Sequence, residues 1–176
     1  HFERIAGIDR AALCAVHPTP RKRGPEGDRF SLLLDVGASH RASASDLHSY
    51  ALMGSAYARI VTGLDAPEVA LLSTSGEPGA GPPDVADAAE RLEIDERVNF
   101  VGTYEGHDIP SGRADVVVCN GYVGNVTIKI LEGVSEAAFD LARAAYQERF
   151  VWKVGLRLLS GGLHQLKRMT DFEEYG

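Results

Sequence analysis

Two Gly/Asn pairs, Asn120-Gly121 and Gly124-Asn125, lie within six positions of each other in the stretch ADVVVCNGYVGNVTIKILEG, residues 114–133. One cation, Lys129, and one anion, Glu132, follow them. Glycines where a strand turns into a helix let backbone N–H groups approach an anion, and a helix N-terminus favours negative charge. The pairs therefore read equally well as an anion cradle or as a plain turn in which Gly121 and Gly124 need positive φ. Asn125 is placed to cap a helix starting near Val126. Lys129, one turn into that helix, either reaches back to an anion in the loop or pairs with Glu132 at i, i+3 spacing. Asp35, directly after the apolar run of SLLLD, is a second carboxylate, with a cap or turn acceptor as its plainer reading.

Other chemistries lack local support. The run GEPGAG, residues 76–81, has its glycines out of order for a dinucleotide fingerprint and meets Pro82-Pro83 instead of opening a helix. There is no GxxxxGK[ST], no GxSxG, and no Cys standing beside a His, which leaves a covalent nucleophile without support. The six His are scattered without HExxH spacing, so no metal is expected. Cys14 and Cys119 sit far apart in apolar surroundings with no CxxC, which fits a reducing, cytoplasmic setting. A net charge of -7 argues against nucleic acid as a partner. No run is apolar enough to span a membrane, and the opening HFERIAGIDRAAL has acidic residues and no apolar core of a signal peptide. The start at His1 and the ending DFEEYG read as a piece of a longer chain.

Short apolar strands and helices must position these residues. A strand is expected over Ala11–Val16, and TPRKRGPEGDRF reads as a mobile surface loop. SLLLDVGA and EVALLST are buried strands, because they are continuously apolar rather than alternating. Between them SASDLHSYALMGSAYARIVTG predicts a helix capped within Ser43–Ser45, ended by Gly63, with Leu47, Tyr50, Ala51, Met53, Gly54, Tyr57 and Val61 as its apolar stripe. A short helix from near Asp84, strands at VNFVGTYEG and DVVVC, and two helices broken by Ser160-Gly161-Gly162 complete the series. The order strand, helix, strand, helix, strand, strand, helix, helix implies an α/β fold with a mainly parallel sheet. The sheet portion is expected over residues 1–133 and a helical hairpin of the same domain over 134–176. Three Gly-rich loops, DVGASHRAS, STSGEPGAG and CNGYVGN, then line the rim beyond the carboxyl ends of the strands, where such sheets bind ligands.

Several stretches together resemble a known family: LLLDVGA, LHSYALMGSAYARIVTGLDAPEVALLS, VNFVGTYEGHDIPSGRADVVVCNGYVGNVTIKILEG and LKRMTDFEEYG. In order and spacing they are similar to the phosphate acyltransferase of bacterial phospholipid synthesis, the PlsX family, over nearly the whole chain. The resemblance implies an α/β/α sandwich like that of phosphotransacetylases and isocitrate dehydrogenases. It implies transfer of a fatty acyl group from acyl carrier protein to inorganic phosphate, with no metal or organic cofactor. By position it assigns Lys129, Asn120 and Asp35 to catalysis. It assigns Gly37, Ser39, Glu77, Gly121, Gly124, Asn125 and Glu132 to phosphate or substrate.

The chain departs from the pattern in three places. Ser39 stands where members carry Asn, Asn120 and Tyr122 stand in a DGF position, and SGEPGAG keeps Glu77 but lacks the usual Lys. These departures keep open a degenerate, non-catalytic binding or scaffolding subunit, and a transferase using a CoA thioester is a third reading. The family's N-terminal half is missing, so this piece alone is not expected to catalyse.

The tail is electrically distinct. Residues 134–170 carry six Lys/Arg against three acids, so the remainder holds a net charge of -10. Phe150 and Trp152 lie beside Lys153 and Arg157, a combination that suits helix packing, an anionic membrane surface or an acidic carrier protein. The resemblance adds a homodimer through these C-terminal helices and peripheral contact with the inner face of the cell membrane.

Overall fold

The computed structural model describes residues 9–148 except 78 and 80, and side chains up to residue 144. By internal contacts the chain divides into two compact units, His1–Thr127 and Ile128–Gly176.

The first unit is built on a five-stranded sheet: β1 Cys14–Arg23, β2 Asp28–Leu34, β3 Glu68–Leu72, β4 Asn99–Tyr104 and β5 Val116–Val118, in the order β1-β2-β5-β3-β4. The pairs β2/β5, β5/β3 and β3/β4 are parallel, and only β1 runs antiparallel, along β2. Two helices follow the strands they complete: α1 Ala44–Thr62 and α2 Pro83–Glu93. A third, α3 Gly121–Glu148, leaves β5 and runs on into the second unit.

Alternation along the strands divides the core. Leu32, Leu34, Val69, Leu71, Val116 and Val118 pack with Leu47, Tyr50, Ala51 and Ala58 of α1 and Ala88 and Leu92 of α2. Leu33, Ala70 and Val117 point to the opposite face and are equally buried. A fully buried Leu or Val contributes about 1.5–3 kcal/mol relative to exposure, so this double-sided burial outweighs any surface pair. It also explains the unbroken apolar runs in the sequence. Gly54 brings α1 down onto β5: a Cβ there would meet Val116 Cγ1 at 2.7 Å.

The helix α1 ends as its sequence predicts. Ser43 and Asp46 form a reciprocal capping box, and Gly63 closes the helix in the left-handed region. Its inward face differs in detail. Tyr57 and Val61 are exposed, and Ala58 and Thr62 take their place inside. The Thr62 hydroxyl is satisfied by donating to the Ala58 carbonyl at 2.7 Å.

Two expectations fail. The segment TPRKRGPEGDRF is a β-hairpin, with β1 running on through Arg23 and turning at residues 24–27. The Arg23 guanidinium is the reason: it is buried and pairs with Asp115. It also donates to Thr19 Oγ1 at 2.8 Å, Ser31 Oγ at 3.1 Å and the carbonyls of Ala114, at 2.9 Å, and Gly112. Asp115 Oδ2 in turn accepts from Glu68 N at 2.7 Å. The hairpin is thus clamped to the amino ends of β5 and β3. Secondly, α3 begins at Gly121 rather than near Val126. Pro83 also opens α2 at its first position, where a missing N–H does no harm. The expected break at Ser160-Gly161-Gly162 lies outside the described residues.

Candidate functional site

Because β2, β5, β3 and β4 run parallel, their carboxyl ends share one rim. The rim loops are residues 35–43, 73–82, 105–108 and the junction at 119–120. The first and last are neighbours, since β2 and β5 pair.

The loop after β2 is organised by Asp35, whose side chain is fully buried. Its Oδ1 accepts from Ala38 N at 2.9 Å and Ser39 N at 3.1 Å, and Oδ2 accepts from the Ser39 hydroxyl. Leu13 O accepts from Asp35 N at 2.8 Å and Val36 N at 3.1 Å. The Asp35 backbone stands at φ 63°, in the left-handed region, where Asp is better tolerated than most residues. Ser39, where the resembled pattern carries Asn, keeps a donor to this carboxylate.

The start of α3 faces that loop. Asn120 caps the helix: its Oδ1 accepts from Tyr122 N at 3.1 Å and its carbonyl accepts from Gly124 N at 2.7 Å. Asn125 therefore opens the second turn and is not the cap. Gly121 and Gly124 are helical, and neither has positive φ. They are glycines because of close approach. A Cβ on Gly121 would lie 2.8 Å from Asp35 Oδ1 and Ser39 N, and one on Gly124 would lie 3.1 Å from Cys119 Sγ. Gly37, at φ 139°, faces the Asn125 side chain, 3.6 Å from where its Cβ would sit. The plain-turn reading yields to an interlock between the 35–39 loop and the first turn of α3.

The first turn of α3 carries no acid of its own, although the Asp35 carboxylate lies against Gly121. α1 and α2 each carry an acid in the first turn, Asp46 and Asp84, whereas α3 carries none. Among the described residues, Gly121 N, Val123 N and the Asn120 side-chain amide have no hydrogen-bond partner. Cys119, 1% exposed, donates to Leu34 O at 3.2 Å. Burial, and after it the Asp35 charge, pushes its thiol up to about 12. It is therefore no nucleophile at neutral pH. The same two causes raise the Tyr50 hydroxyl, which is buried without a partner.

Other expected residues make contacts of their own. Glu77 is exposed in the 73–82 loop, its N–H donating to Ser75 Oγ at 3.1 Å. Lys129 falls in the third turn of α3, because the helix starts five residues earlier than its sequence implies. Its ammonium pairs with Glu132 at 2.7 Å on the helix surface. Phe150, Trp152, Lys153 and Arg157 lie outside the described residues. Sequence reasoning overlooked Val123 N, and it gave the cap to the wrong Asn. Asn directly before the helical stretch was the available signal, obscured by the two glycines that follow.

The family described as "Fatty acid synthesis protein" matches residues 1–176. The chain belongs to the fatty acid synthesis protein family. Relatives within reach of this family assignment are named phosphate acyltransferase. That of Gloeobacter violaceus is 41% identical over 173 residues, covering 98% of this chain and 50% of the relative. That of Rhodobacter capsulatus is 40% identical over 173 residues, covering 97% and 42%. The chain thus spans about half the length of the curated relatives it matches. Among solved structures, EutD phosphotransacetylase from Staphylococcus aureus superposes with a TM-score of 0.54 at 18% identity, over 75% of this chain and 44% of that one. A phosphotransacetylase from Streptococcus pyogenes gives 0.54 and 18%, over 74% and 44%. The mainly parallel α/β fold of this family member is therefore that of the phosphotransacetylases. Among the described residues no helix is long and apolar enough to cross a membrane.

Proposed function

We propose that the protein containing this chain transfers a fatty acyl group from acyl carrier protein to inorganic phosphate, giving an acyl phosphate. The observation that carries this reading is the opening of α3. Among the described residues, Gly121 N, Val123 N and the Asn120 amide are without a partner, at the positive end of a helix with no acid in its own first turn. A phosphate oxygen attacks the thioester carbonyl, and charge collects on the carbonyl oxygen. The C–S bond then breaks, and the carrier's thiolate leaves and takes up a proton. Such a step needs an anion cradle and an oxyanion donor, and no protein nucleophile. Family membership and the relatives' name support it. We assign binding to the α3 backbone and Asn120. Lys129, held by Glu132, is expected to contribute less than the sequence suggests.

The non-catalytic reading rests on Ser39 and Asn120. Ser39 donates to Asp35 and Asn120 caps α3, which favours the enzyme. The test is an assay of the full-length parent with acyl carrier protein thioester and phosphate, run beside the matching CoA thioester. Acyl phosphate from the carrier protein alone supports the proposal. Product only from CoA changes the donor, and no product from either overturns the enzyme reading in favour of the scaffold.

A further inference from the structure

A fully buried carboxylate under a ligand rim calls for a reason. Asp35 is 0% exposed, so it does not meet substrate in this arrangement. Both of its oxygens are used, and all three donors lie within the next four residues. The same residue touches α3 twice. Its Oδ1 lies 2.8 Å from the Cβ position of Gly121, and its carbonyl carbon 3.1 Å from that of Gly124. No side chain but hydrogen fits at either helix position.

We infer that Asp35 is a positioning residue, which fixes the 36–39 loop against the first turn of α3 and so sets the placement of the Gly121 and Val123 amides. The inference rests on the proposed phosphate site. The left-handed backbone at Asp35 turns the chain back at the end of β2. The carboxylate gathers Ala38 N and Ser39 N, which would otherwise compete for an anion on the rim. The two glycines then let the helix start seat directly on the folded loop. Loop and helix start are one rigid piece, hinged on a single side chain that takes no part in bond making.

The test uses the full-length parent, with Asp35→Asn, Asp35→Glu and Ser39→Ala. Hydrogen exchange reads the placement without reference to activity. Asp35→Asn should speed exchange at least tenfold at Ala38 and Ser39, and also at Tyr122 and Gly124, whose N–H groups are bonded to Asn120, with β3 and α2 unchanged. Faster exchange confined to 36–39 overturns the coupling, and a uniform increase makes Asp35 an ordinary stabilising residue. Steady-state kinetics read the consequence. The Michaelis constant for phosphate should rise about tenfold in Asp35→Asn at nearly constant kcat, with Ser39→Ala intermediate. A lower active fraction with unchanged phosphate KM, or a tighter phosphate KM from loss of the negative charge, overturns the inference. If the wild-type parent makes no acyl phosphate, the proposed function fails on that result alone, and the exchange pattern still decides the role of Asp35.

Discussion

The Gly124 Cα sits against the backbone of Asp35, so that a Cβ there would lie 3.1 Å from the Asp35 carbonyl carbon and closer still to its oxygen. Real Cβ atoms do not approach a carbonyl group so closely, so a side chain at residue 124 must push the helix off the loop.

Glycine in a helix ordinarily costs about 0.5–1 kcal/mol relative to alanine. At Gly133, where a Cβ would meet nothing within 4 Å, Gly133→Ala should therefore stabilise by about that amount. Gly124→Ala should do the reverse and destabilise by about 1–3 kcal/mol, the usual effect of overpacking. Urea unfolding of both variants gives the comparison. Equal effects would mean that the loop yields to the helix.

Breaking the Arg23–Asp115 pair should be among the most damaging single changes in the sheet. Arg23→Met leaves Asp115 buried without its cation, and a loss of about 3–5 kcal/mol is expected. Arg23→Lys should rescue little of it, because an ammonium lacks the planar fork that reaches Thr19, Ser31 and two carbonyls. The double variant Arg23→Met/Asp115→Leu should lose less than the sum of its singles, as coupled neighbours do.

The two cysteines should separate cleanly in a thiol titration. Cys14 is exposed and Cys119 is buried. One thiol per chain should react with a disulfide reagent in the native state, slowly because partial burial pushes the Cys14 thiol up to about 11, and the second only on unfolding. Rapid reaction of both would mean that α3 leaves its seat in solution.

Acid should release one link between α1 and the turn after α2. Asp95 accepts from His48 Nε2 at 2.8 Å and from Arg97 through both nitrogens of its fork. The Arg97 bonds, with help from His48, hold the Asp95 carboxyl well below the ordinary range. A carboxyl lowered in the folded state contributes stability above its unfolded pKa of about 4 and loses it as pH falls toward the folded value. Asp95→Asn should therefore be destabilising at pH 7, and the difference from wild type should shrink below pH 4. Urea midpoints across that range check the sign.

Local signals were the readable ones. The capping box at Ser43 and Asp46, the close at Gly63 and the apolar strands follow from chemistry within a few residues of each element. The hairpin did not, since Pro18, Pro20 and a run of basic residues look like a loop. What makes Arg23 a strand residue is Asp115, 92 positions away. The glycines of α3 misled for the same reason. Gly121 and Gly124 have ordinary helical backbones, and the need for hydrogen there comes from Asp35 and Ser39 on a distant loop. The candidate site was thus legible in its membership around Asp35, Asn120 and the glycines. Its geometry was not, and Lys129 moved from first turn to third once the helix start was fixed.

The first strand carries a consequence of another kind. β1 is an outer strand of ten residues, long enough to recruit a strand from a neighbouring molecule. Pro18 and Pro20 interrupt its row of donors, and Arg21 and Lys22 are exposed along it. Stacking of sheets edge to edge, the first step toward insoluble aggregates, is thereby discouraged on this flank. The same residues that hide the strand from a reader of the sequence keep it from being read by another copy of the chain.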